Sequence, residues 1–137
     1  MNRFASRTTM LSLLFGSAIA VAGLSGCSSQ SDDPAARTVS FKDEVLPMLA
    51  KNCFKCHLDG GKGQEKSGFN LRTYEGLMKG TSNGPVVVPG SAVSSTLYRS
   101  IAHLTAEEIR MPHGQDKLPE EEIALLKNWI DQGALNN

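Results

Sequence analysis

Cys53 and Cys56, two thiols separated by two residues, are followed at once by His57 in the run CFKCH. Three kinds of chemistry use thiols at that spacing. The pair can cycle between dithiol and disulfide, can furnish half of a tetrahedral zinc site, or can add across the two vinyl groups of a haem. The last use also needs an imidazole beneath the iron, and the adjacent histidine supplies one. CFKCH therefore predicts one covalently held haem c, with thioethers at Cys53 and Cys56 and His57 as the proximal axial ligand. A thiol-redox pair and a metal half-site stand as the alternatives.

The third cysteine has a different setting. Arg3 and Arg7 precede a weakly polar to apolar run from Met10 to Leu24, and no acidic residue occurs before Asp32. That is the layout of an export signal. A membrane-spanning helix needs roughly 20 apolar residues, and this run is shorter and interrupted by Ser12, Gly16, Ser17 and Gly23. It ends in Leu24-Ser25-Gly26-Cys27, which resembles the bacterial lipobox. Residues 1–26 are thus expected to be a lipoprotein signal peptide, with Cys27 lipidated and the protein anchored to a membrane facing the periplasm or cell exterior. If Cys27 carries lipid and the other two cysteines carry haem, no thiol is left over. In an oxidising compartment a zinc finger is disfavoured, because oxidation competes for its thiols.

A haem iron held by His57 has a second axial position. Met1 and Met10 fall in the signal, Met48 is too near Cys53 in sequence to reach the opposite face, and Met78 lies in a short helix that suits core filling. Met111 stands in EEIRMPHG, on a loop that can carry a thioether over the iron. It is the expected distal ligand, with His113 or His103 as the imidazole alternatives. The other ring nitrogen of His57 is expected to meet a backbone carbonyl, that of Pro85 or else Pro89.

The elements that position these groups read as follows. Residues 27–39 are polar and form a flexible tether, and the domain spans 40–137. Ser40, with Asp43 as capping partner, opens a helix whose apolar face carries Phe41, Val45, Met48 and Leu49 and whose last turns hold CFKCH. Pro47 predicts a kink or a late start. DGGKGQEKSG reads as a loop without a core. Thr73 caps a short helix from Tyr74 to Lys79 that stops at Gly80, and Val86 to Val88 form an extended wall between Pro85 and Pro89. Ser94 or Ser95 starts a helix with Leu97, Tyr98 and Ile101 on one side. Pro119 opens the last helix, where Ile123, Leu126 and Ile130 make a stripe beside Leu125 and Trp129, ending at Gly133. Repeats and strand-turn-strand signals are absent from the sequence, so the class is all-α. A domain of about 100 residues has a thin core, and a haem would supply its apolar centre.

The run from Phe41 to Ala134 resembles the planctomycete-type cytochrome c domain, a branch of the small monohaem cytochromes c. The resemblance is carried by VLPMLAKNCFKCH, NLRTYEGLMKG, VVVPGSAVSSTLYRSI, IRMPHG and EEEIALLKNWIDQGA. It implies a cytochrome c-like fold with N- and C-terminal helices packed around a covalently bound haem, ligated by His57 and Met111. It departs from the family pattern at His113, where a second proline usually follows the methionine.

The function expected is electron transfer by a membrane-anchored carrier that is not an enzyme, exchanging electrons with redox partner proteins. A haem-based gas sensor or peroxidase-like module with a labile sixth ligand is the alternative, and a purely structural haem in a larger complex is another. Formal charge sums to zero without a basic tract, which leaves nucleic-acid binding without an electrostatic footprint. The neutrality hides a division: residues 51–99 carry seven basic against three acidic residues, net +4, and residues 100–137 carry three against seven, net −4. The lysines beside CFKCH are expected to steer an acidic partner.

Overall fold

A computed structural model describes residues 37–137; the expected signal peptide, Cys27 and residues 28–36 of the expected tether lie outside that range. The chain enters at Phe41–Val45 through one wide π-helical turn and continues into α1, Leu46–Asn52. The kink expected at Pro47 takes this form. Proline lacks a backbone donor and crowds the turn before it, and the wide turn places it near the start of α1, with the Leu46 N–H donating to the Phe41 carbonyl.

The widened turn also changes the cap. Ser40 Oγ accepts from the Asp43 N–H at 3.2 Å, as expected. The carboxylate that reaches back to the Ser40 N–H, at 3.0 Å, belongs to Glu44 rather than Asp43. The helix proper stops at Cys53, whose φ of −124° and ψ of −30° break it, and α2 begins anew at Phe54–His57. CFKCH is therefore not one run of helix.

Next come α3, Lys62–Ser67, α4, Tyr74–Lys79, and α5, Thr96–Ile101. A 3-10 turn at Glu107–Ile109 precedes α6, Glu120–Asp131. Among the described residues the only strand-like pairing is one bridge between Thr81 and Gly84. The segment expected to be a coreless loop contains α3. Its helix closes on Gly68, whose φ of 73° is costly for any residue with a Cβ. Thr73 caps α4 by accepting from the Gly76 N–H, as its sequence suggests. Ser95 stands at the start of α5 but is buried, and its hydroxyl bonds the Ser91 carbonyl and the Val88 N–H of the preceding loop instead.

The first turn, α1 and α6 enclose the core. Phe41, Val45, Leu49, Leu126, Trp129 and Ile130 are all buried. Phe41 meets the Tyr74 ring edge-on at 5.3 Å and the Trp129 ring at 5.5 Å. The polar ends of that cluster are satisfied, Tyr74 by the Ala134 carbonyl and Trp129 by that of Leu135. The two ends of the domain also clasp. The Phe41 N–H donates to Asn137 Oδ1 at 2.8 Å and the Val39 N–H to Gln132 Oε1 at 2.8 Å. Val39 is 1 % exposed. At the end of the expected tether, the Val39 carbonyl accepts from Asn137 Nδ2 and Arg37 pairs with Glu44.

Candidate haem site

Cys53 sits at the break between α1 and α2, and its carbonyl accepts from the Cys56 and His57 N–H groups at 3.1 and 3.0 Å. That single turn sets the two thiols and the imidazole together. Neither cysteine is in a disulfide; Cys53 is half-buried against the core and Cys56 is exposed. Burial pushes the Cys53 thiol up to about 11, with smaller contributions from the Glu122 carboxylate and Cys56. Among the described residues no group of three or more His, Cys, Asp or Glu could hold a metal ion, so the metal half-site finds no second half there.

The neighbouring helix end is braced by α6. Glu122 accepts from Lys51 Nζ at 2.7 Å and from Asn52 Nδ2 at 2.8 Å. Asn52 also donates to the Met48 carbonyl. The residue before Cys53 is therefore tied to both helices.

His57 is held from the far side by the segment after α3. Its carbonyl accepts from the Leu71 N–H at 2.8 Å, and its Nδ1 lies 3.3 Å from the Phe69 carbonyl. A carbonyl can only accept, so the ring proton sits on Nδ1 and Nε2 keeps its lone pair. The Phe69 ring meets the imidazole edge-on at 5.3 Å. Burial lowers the His57 pKa, and the Phe69 bond opposes that shift without reversing it. A neutral imidazole oriented through Nδ1 is the form that binds iron. The orienting carbonyl is that of Phe69, not Pro85 or Pro89.

Met111 comes from a different segment. Its N–H donates to the Ser100 carbonyl at 3.1 Å, which pins the loop to the end of α5, and its side chain packs half-buried on the core. The Met111-Pro112 peptide is cis. The Ser100 carbonyl also accepts from the His103 N–H at 3.2 Å. His103 has a φ of 56°, and its Nε2 is buried without a hydrogen-bond partner, as is Thr105 Oγ1. His113 is exposed.

The residues fit a covalently attached haem. Two unpaired thiols stand one turn apart, the imidazole lone pair is free, and orphaned polar atoms lie in the loop that leads to Met111. Comparison with curated proteins and with solved structures returned no match. A family model described as planctomycete cytochrome C matches residues 53–123, just over half of the 137-residue chain. Domains of this family are small, helical electron carriers rather than enzymes, and they work outside the cytoplasm. The spacing of Cys53, Cys56 and His57 matches their haem c attachment motif. With the motif, the all-α architecture and the family match in agreement, the chain belongs to the planctomycete cytochrome c family.

Proposed function

We propose that this protein is a lipid-anchored carrier of single electrons, with haem c bonded to Cys53 and Cys56 and ligated axially by His57 and Met111. The observation that carries the reading is the His57 ring, oriented by the Phe69 carbonyl with Nε2 free beside two unpaired thiols. Bound haem supplies an iron that accepts and releases one electron. The chain's own groups do the rest. Cys53 and Cys56 would hold the group as thioethers, each S–H adding across a haem vinyl double bond with sulfur going to one carbon and hydrogen to the other, so that no oxidant is consumed. The Phe69 carbonyl holds the Nδ1 proton and makes the ring a stronger donor at Nε2. A thioether at Met111 raises the reduction potential relative to a second imidazole.

The core built from Leu49, Leu71, Leu126 and Ile130 keeps water from the protein interior. The sensor or peroxidase reading gains no support from the family match. Absorption spectroscopy of the ferric holoprotein tests the ligand pair. The weak charge-transfer band at the red edge, given by methionine sulfur on ferric haem, is expected in the wild type and lost in Met111→Ala. A wild-type spectrum without it removes Met111 from the iron.

The anchor rests on the lipobox-like Leu24-Ser25-Gly26-Cys27. No helix among the described residues is long and apolar enough to cross a membrane. A diacylglycerol on Cys27, each buried methylene contributing about 0.8 kcal/mol, holds a small domain at a surface. Cys27→Ser is expected to move the haem protein from the membrane to the soluble fraction with its spectrum unchanged. Equal membrane retention of the variant would exclude the lipid anchor.

A further inference from the structure

Gly63 lies in the first turn of α3, and its backbone is helical, so no left-handed conformation calls for glycine there. On helix propensity alone alanine is the better residue at this position. The reason for glycine is steric. A Cβ on residue 63 would stand 2.8 Å from His57 Cε1, 2.9 Å from His57 Nε2 and 2.9 Å from the Cys56 carbonyl oxygen. All three distances are well inside ordinary carbon contact.

We propose that Gly63 is a positioning residue for the proximal imidazole: its missing side chain lets α3 close against the Cε1–Nε2 edge of His57. The inference rests on the reading of His57 as an axial ligand. Three contacts then bound the ring. The Phe69 carbonyl takes Nδ1 at 3.3 Å, the Phe69 ring stands edge-on at 5.3 Å, and the α3 backbone at Gly63 lies alongside the Cε1–Nε2 bond. The closure is reinforced from within α3, where Ser67 Oγ donates to the Gly63 carbonyl at 2.6 Å and accepts from the Phe69 N–H at 3.1 Å. One serine thus couples the position of Gly63 to the residue that orients His57. An unligated imidazole is the movable end of a side chain and could swing away from a new methyl group. An imidazole held at Nε2 by iron and at Nδ1 by Phe69 cannot, so an alanine must tilt the ring or lift α3.

The test is proton NMR of the ferric holoprotein together with thermal unfolding. Wild type must first show paramagnetically displaced imidazole ring protons; their absence would refute the ligand reading itself, separately from this inference. Given those signals, Gly63→Ala is expected to move them and to lower Tm by several degrees, and Gln64→Ala in the same helix to do neither. Phe69→Leu gives the ring room, so the displacement caused by Gly63→Ala should shrink by at least half in that background. Unmoved ring signals in Gly63→Ala with an equal or higher Tm, the result that helix propensity alone gives, would overturn the proposal. If Gly63→Ala accumulates no holoprotein, recovery in the Phe69→Leu background supports it. No recovery, while Phe69→Leu alone accumulates normally, overturns it, because the obstruction then lies against the Cys56 backbone and not the imidazole.

Discussion

Met111 and His103 share one anchor, the Ser100 carbonyl, yet differ in what their side chains lack. Met111 is half-buried on the core, and a thioether leaves no polar obligation behind. His103 is held at a φ of 56°, which an L residue adopts only at a cost, and its Nε2 is buried with no partner. A buried nitrogen in that state costs roughly 1–3 kcal/mol, and coordination to iron would relieve it. His113, two residues beyond Met111, is exposed and its imidazole is open to water. In Met111→Ala the vacated position is therefore expected to pass to His103, giving a low-spin ferric spectrum without the red-edge band. Adding His103→Ala should turn the spectrum high-spin; adding His113→Ala should leave it low-spin. The opposite pattern would make His113 the competing ligand. CFKCH was legible because its residues are local. The partner of His57 was not, because Phe69 enters through its backbone carbonyl, which any residue could supply, and only the path of the chain after Gly68 decides which one does.

At the scale of elements, the entry to the first helix shows how tertiary demands alter local rules. A capping box places its carboxylate three residues after the cap; here the wide turn ahead of Pro47 hands that role to Glu44, four residues on. Arg37 bonds the same carboxylate at 2.6 Å and, with the Ser40 N–H, lowers the Glu44 pKa from 4.5 to about 2 against the opposing effect of burial. A carboxylate held lower in the folded state contributes stability above its unfolded pKa and loses it as pH falls through the folded value. The contribution should be intact above about pH 4.5 and lost progressively toward about pH 2. Because the Arg37 side chain is 46 % exposed, solvent screening limits the effect to about 1 kcal/mol or less. Tm measured from pH 6 to 2 should fall less steeply in Glu44→Gln than in wild type across this window. Parallel curves would remove Glu44 from the acid response. Local chemistry explains what the sequence made readable: α4 runs between its caps Thr73 and Gly80, and α6 runs from Pro119 to Gln132, just before Gly133 with its φ of 102°. The π-helical turn and α3 were unreadable for the converse reason. The first answers Pro47, and the second is a polar helix whose place is set by His57 and Ser67.

Across the described residues one ion pair joins the two oppositely charged stretches of the sequence, and much of the positive one is left exposed. Lys51 of the basic stretch bonds Glu122 of the acidic one, and Arg72 is taken by Asp59. Lys55, Lys62, Lys66 and Lys79 are exposed and have no ion pair among the described residues. Lys55 lies inside the attachment motif, and Lys62 and Lys66 lie on α3, which closes against His57. Three unpaired cations thus belong to the segments that carry the proximal side of the site, although the chain as a whole is neutral. Fields of this kind govern encounter rates and are screened over about 10 Å at 0.1 M salt. Oxidation of the ferrous protein by small ions reads the local sign directly. With anionic ferricyanide the rate should fall as ionic strength rises, and with a cationic cobalt(III) chelate it should climb, where a probe sensing only the net charge of −2 left once Arg3 and Arg7 depart with residues 1–26 (12 basic against 14 acidic residues) would give the reverse slopes. Lys62→Glu/Lys66→Glu should slow the anionic reaction by about tenfold at low salt and reverse neither spectrum nor ligation. If both salt dependences are flat in wild type, the lysines are merely solvated and an acidic docking partner loses its basis. If the anionic rate falls and the cationic rate climbs, the partner that receives or delivers the electron is expected to meet the protein on the face marked by Lys55 and α3.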